Sequence, residues 1–109
     1  MERETETSYR DRIDADVAID VRFITRRRIT TQVTEYTVVL LVLEPPGGGW
    51  RAVRVYDNAH GNHDMHRYSR DGVKQAAETS HHGSPGEAMR SAIEAVRGGY
   101  REMIDSWRR

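Results

Sequence analysis

Four residues, Ser84-Pro85-Gly86-Glu87, and the stripe that follows them constrain this chain more than any other feature. The serine oxygen can accept an amide hydrogen that the first helical turn leaves unpaired. Proline suits the first helical position, where its missing N–H had no partner, and Glu87 can reach back to complete a capping box. Beyond them Met89, Ile93, Val96, Tyr100, Met103 or Ile104, and Trp107 recur at alternating steps of four and three, one apolar stripe on a helix running almost to Arg109. Arg90 with Glu94 and Arg101 with Asp105 offer opposite charges one turn apart on the other face. Gly98-Gly99 interrupts the stripe at a cost of about 1 kcal/mol per glycine, which implies either close approach of the backbone to a neighbour or a local kink.

Everything before this helix reads as strand and turn. Val17, Ile19, Val21 and Phe23 alternate with Ala18, Asp20, Arg22 and Ile24, the period of a strand with one face buried, and Arg26-Arg27-Arg28 marks a solvated turn. A second strand runs from about Ile29 to Leu43, with Val33, Thr37, Val39, Leu41 and Leu43 on one face and Tyr36, Val38, Leu40 and Val42 on the other. It is apolar on both faces from Val38 onward, which suits a central strand. Glu44-Pro45-Pro46-Gly47-Gly48-Gly49 ends it, and Trp50 to Asp57 forms a third. Ser69-Arg70-Asp71-Gly72 between Met65–Tyr68 and Val73–Ala77 predicts a hairpin of two short strands, with Thr79 to Gly83 as a loop. Residues 1–14 are charged without a sustained apolar period and are expected to be a loosely packed lead-in to a single domain over 15–109. The expected fold is therefore α+β: an antiparallel sheet of four to five strands with one long C-terminal helix across one face.

Charge bears on what such a domain can bind. Seventeen basic and seventeen acidic residues give no net charge, so no excess positive field steers the whole molecule toward nucleic acid. Lys74 is the only lysine, so every other cation is a guanidinium able to hold a carboxylate or phosphate through two parallel hydrogen bonds. Codon usage in a GC-rich genome would produce the same bias. No cysteine is present, which excludes disulfides and thiolate metal sites and fits a cytoplasmic protein. The charged N-terminus lacks the apolar run of a signal peptide, and the longest apolar stretch, Val38 to Leu43, is too short to span a bilayer.

Potential chemistry concentrates between Val53 and Tyr68, where three histidines, two aspartates, two arginines and two tyrosines flank the bend after the third strand. The run Val53-Arg54-Val55-Tyr56-Asp57-Asn58, the turn Gly61-Asn62-His63-Asp64-Met65-His66, the two early strands and the helix ending near Trp107 resemble the TumE-type toxins of prokaryotic toxin–antitoxin modules. That resemblance implies a toxin-like protein with a small antitoxin as partner; it does not supply a mechanism.

A metal-independent ribonuclease would need a base for the 2′-hydroxyl, an acid for the leaving oxygen and donors around the developing charge. His63 and His66 could share the first two roles, with Asp57 orienting one imidazole. Arg54 and Arg67 could hold phosphate, and Tyr56 and Tyr68 could contact RNA. A metal reading would use His60, His63 and His66 with Asp64 or Asp57, and requires the turn to fold back on itself. Each residue also has an ordinary structural role: His63 in a solvated turn, His66 on a strand surface, Asp57-Asn58 capping a strand end, Tyr56 packed in the sheet. His81-His82 reads as an exposed loop pair. Arg26-Arg27-Arg28 could touch phosphate or an acidic antitoxin. The competing class is a non-enzymatic module whose sheet edge or helix stripe binds a partner protein or a second copy of the chain.

Overall fold

A computed structural model describes residues 3–45 and 47–109. Its elements are β1 (Arg3–Asp14), β2 (Val17–Arg27), β3 (Thr31–Leu43), β4 (Trp50–Asp57), β5 (Asp64–Arg67), β6 (Glu78–Thr79) and α1 (Pro85–Arg108). The strands form one antiparallel meander in chain order, six wide, with α1 lying mainly on β3 and β4. The fold is α+β as expected, with six strands in place of four to five.

Two of the differences lie at the sheet edges. The charged segment expected to be a loose lead-in is the long edge strand β1, paired with β2 from Arg3↔Arg27 to Asp14↔Val17. Its residues are almost all exposed, so it carries no apolar alternation from which a strand could be read. At the other edge Val73–Ala77 does not form a strand. The turn at Ser69–Gly72 closes as expected, through Gly72 N–H to Ser69 O at 3.0 Å, but only Lys74 bridges back, to Tyr68. The chain rejoins the sheet as β6, two residues that pair with Asp64 and Met65. Arg26 and Arg27 belong to β2, and the turn itself is Arg28–Thr30.

Register explains where the core sits. Val38 lies between Val21 and Tyr56, and Leu40 between Ile19 and Arg54, so the even-numbered residues of β3 face the helix. Val38, Leu40 and Val42 are fully buried there beneath Ala92, Val96 and Ile104 of α1. The helix starts at the expected cap, with the Ser84 hydroxyl accepting from Glu87 N–H at 3.2 Å, although among the described residues the Glu87 side chain does not close the other half of the box. Arg101 reaches Asp14 on β1, at 3.8 Å, in preference to Asp105 one turn along its own helix. Among the described residues no helix is long and apolar enough to cross a membrane.

The two mid-helix glycines do not mark a close approach to the sheet. A methyl group at Gly98 would meet nothing within 4 Å, and one at Gly99 would meet only the end of the Met103 side chain at 3.3 Å. Gly98→Ala is therefore expected to stabilise the protein by about 0.5–1 kcal/mol, the helix-propensity difference alone. Chemical denaturation of the two proteins checks it; a destabilised variant would reveal a packing role for the bare backbone.

Candidate functional site

The strand pair that carries the chemistry-rich segment is registered Arg54↔Arg67, Val55↔His66, Tyr56↔Met65 and Asp57↔Asp64. Alternation then sorts the residues: Arg54, Tyr56, Met65 and Arg67 share the helix side, and Val55, Asp57, Asp64 and His66 share the other. Tyr56 and Met65 are core residues.

His63, just before β5, is held at both ring nitrogens. Its Nε2 lies 2.9 Å from the Gly83 carbonyl oxygen, which can only accept, so that nitrogen carries a proton. In the neutral ring Nδ1 then accepts from the Tyr36 hydroxyl at 2.9 Å. The two rings stack at 5.7 Å, and His81 meets His63 edge-on at 6.1 Å. Ser80 N–H and hydroxyl both donate to the His63 carbonyl, at 2.8 and 3.1 Å. His63 thus fastens the lead-in to α1 onto the middle of β3 and the start of β5. Burial, with the nearby Asp57 and Asp64 charges, pushes the Tyr36 hydroxyl up to about 12.

His66 is used differently. Its Nδ1 lies 2.8 Å from the Gln75 carbonyl oxygen and donates to it. Asp57 accepts from Ala59 N–H at 3.3 Å, an Asx-type turn that finishes β4. Asn58 extends the ladder with its side chain, accepting from Tyr36 N–H at 3.1 Å and donating to Thr34 O at 3.0 Å. Among the described residues no hydrogen bond or ring contact joins His63 to His66 or to Asp57, so the trio expected to share acid–base work is not brought together. Nor does any group of three or more His, Asp or Glu among those residues converge in a way that could hold a metal ion; His60 stays exposed in the turn.

The arginines do converge. Arg54, Arg67 and Tyr68 line a cleft of about 400 Å³ between β4, β5 and the last turns of α1, together with Arg70, Trp107 and Arg109. Arg67 is paired with Glu78 and Arg70 with Glu44. Trp107 is wedged into the wall: its indole N–H donates to Ser69 O at 3.3 Å, and the Arg70 and Arg51 guanidiniums sit 4.1 and 5.3 Å from its ring. Arg54 has no hydrogen-bond or ion-pair partner among the described residues, and its Nε is shut away from solvent. A buried guanidinium N–H without an acceptor is costly, and most such groups find one.

Of the four proposed contact residues, Arg54, Arg67 and Tyr68 line this cleft and Tyr56 packs in the core. Sequence reasoning missed Arg70, Trp107 and Arg109 as cleft residues. Trp107 was visible as the last member of the stripe, but nothing in the chain brought a turn residue and the helix terminus to β4.

The whole chain, residues 1–109, matches the model of a family described as a domain of unknown function, DUF7718, and the protein belongs to that family. No curated protein and no solved structure matches it.

Two outcomes follow from the His63–Tyr36 contact. A tyrosine whose folded-state value lies above its unfolded value of about 10 favours the folded protein while protonated, so this contribution is complete below about pH 10 and is lost as pH rises through about 12. Absorbance titration should show a late phase near 12 that Tyr36→Phe removes; a titration left unchanged by that substitution would contradict it. Replacing His63 by alanine should lower stability by about 1–3 kcal/mol, since it breaks two hydrogen bonds and leaves a part-buried hydroxyl unpaired. Thermal unfolding measures this.

Proposed function

We propose that this protein is a non-catalytic binding module that takes a phosphate-bearing ligand into the arginine cleft between β4, β5 and the end of α1. The observation that carries the reading is Arg54. Its guanidinium lines the cleft beside three more arginines and has no partner among the described residues, so its planar donors are left for a tetrahedral anion. Glu78 and Glu44 hold Arg67 and Arg70 in place, which leaves Arg54 and Arg109 to meet an incoming charge. Trp107 already has two guanidiniums against its ring, which favours recognition of a phosphate group over stacking of a base.

Against a ribonuclease stands His63, both of whose ring nitrogens are engaged, by the Gly83 carbonyl and the Tyr36 hydroxyl. A toxin-like role in a toxin–antitoxin pair is a separate proposal that binding alone could serve. Growth that is unaffected by induced expression, with or without the neighbouring reading frame, would remove it.

Titration with inorganic phosphate, adenosine monophosphate and a short RNA, followed by the Arg54 Nε–H and Trp107 indole N–H resonances, tests the cleft. Phosphate should move both signals. Arg54→Met should weaken binding by about 10–100-fold, the loss of one or two charge-assisted hydrogen bonds, without lowering the melting temperature. Resonances that stay still in the wild type, or affinity retained in the variant, would refute the reading.

A further inference from the structure

We propose that the protein forms a two-fold dimer through β1, joining two six-stranded sheets into one antiparallel sheet of twelve strands centred on Ser8. This rests on the opposite side of the molecule from the arginine cleft and does not depend on it.

The edge is open along its full length. β1 pairs only with β2, and among the described residues no strand lies beyond it. Twelve residues therefore present a row of main-chain donors and acceptors, nearly all with exposed side chains. Proteins usually protect such an edge with scattered charge, a bulge or a covering loop. Here the charge is sorted by position. On the face away from the helix, β1 reads Glu4, Glu6, Ser8, Arg10, Arg12: acids in the first half, bases in the second.

Sorted charge is what antiparallel self-pairing requires. In a two-fold arrangement centred on residue 8, position i meets position 16 − i of the second copy, so Glu4 faces Arg12 and Glu6 faces Arg10, each twice by symmetry. Centring on Thr7 places Glu4 against Arg10 but Glu6 against Ser8. Centring on Tyr9 places Glu6 against Arg12 but Glu4 against Asp14. Only the Ser8 register of these three satisfies both acids. It also opposes no like charges on the helix side, where Thr5 meets Asp11 and Thr7 meets Tyr9, a half-exposed aromatic.

Neighbouring strands extend the pattern. Glu6 already pairs with Arg22, and Arg10 with Asp20 at 2.6 Å. Across the two-fold axis these become a run Arg22–Glu6–Arg10–Asp20 in which sign alternates at each step. A hollow lined by Ser8, Arg10, Asp20, Arg22, Thr37 and Val39 lies over β1–β3, inward of the centre of this edge.

Light scattering and sedimentation of the full chain test the proposal. The wild type should be a dimer that loosens with salt. Glu4→Arg/Glu6→Arg and Arg10→Glu/Arg12→Glu should each be monomeric, and an equimolar mixture should restore a one-to-one dimer because every opposed pair is again of opposite sign. Circular dichroism identifies a variant that fails to fold. In that event Ser8→Cys in an otherwise unchanged chain decides: oxidation should link it to itself across the axis far faster than Thr5→Cys. A wild type that is monomeric at the highest attainable concentration, a mixture that stays monomeric, dimers that survive both reversals, or equal cross-linking at positions 5 and 8 would each overturn it.

Discussion

A single helix must seal one face of a sheet much wider than itself. A helix with its side chains is about 10 Å across, and six strands at about 4.8 Å spacing are nearly three times as wide. α1 therefore settles over β3 and β4, where Val38, Leu40 and Val42 meet Val96 and Ile104, and leaves the flanks uncovered. Each flank has its own polar solution. On the β1–β2 side, Asp11 and Asp14 reach across to Arg97, Tyr100 and Arg101, and the Tyr100 hydroxyl with the Ala15 amide holds the Asp14 carboxyl below its usual range. On the β4–β5 side the last turns of the helix and these strands frame the arginine cleft. Both the open β1 edge and the arginine cleft are consequences of that mismatch in width.

The face away from the helix poses the opposite difficulty, since among the described residues no element lies on it. Ala18, Leu41 and Val55 are nonetheless buried. Register puts Arg12 opposite Ala18, which pairs in turn with Leu41, and the Arg10 and Arg12 guanidiniums each lie 5.3 Å from the Trp50 ring; Val55 lies further along, between Val39 and His66. Arginine stems and an indole thus lie across this sheet face and cover its apolar centre. Planar guanidiniums stack on aromatics and pair bidentately, as Arg10 does with Asp20 at 2.6 and 2.9 Å, in a way an ammonium cannot. That gives the near-exclusion of lysine a physical use on both faces, whatever the codon bias behind it.

Elements whose residues alternate or repeat against a core were legible in the chain: β2, β3, β4 and α1 sit close to where periodicity puts them, and Ser84 caps the helix as its type and spacing require. β1 was not, because an edge strand wet on both faces has no hydrophobic period, and its charged pattern is that of a solvated tail. β6 was too short to carry any pattern. The site was legible in part. Strand parity correctly separates Arg54 and Arg67 from Asp57 and His66, whereas the partners that decide what His63 does, Tyr36 and Gly83, are 27 and 20 residues away in sequence. Residue type could nominate His63, but only tertiary contact assigns its role.

That role recasts the crowding of imidazole and carboxylate after β4. A histidine positioned for acid–base work keeps one nitrogen directed at substrate, with the other oriented by a protein group. His63 spends one nitrogen on Gly83 and the other on Tyr36, and its carbonyl on Ser80. Those bonds tie the segment leading into α1 to the middle of β3, and so help set where the helix begins. Because α1 is one continuous 24-residue element, fixing its start also helps fix where its last turn stands against β4 and β5. The histidine cluster and the arginine cleft are then mechanically related: the first anchors the helix at one end of the sheet, and the second is formed by the position that helix reaches at the other.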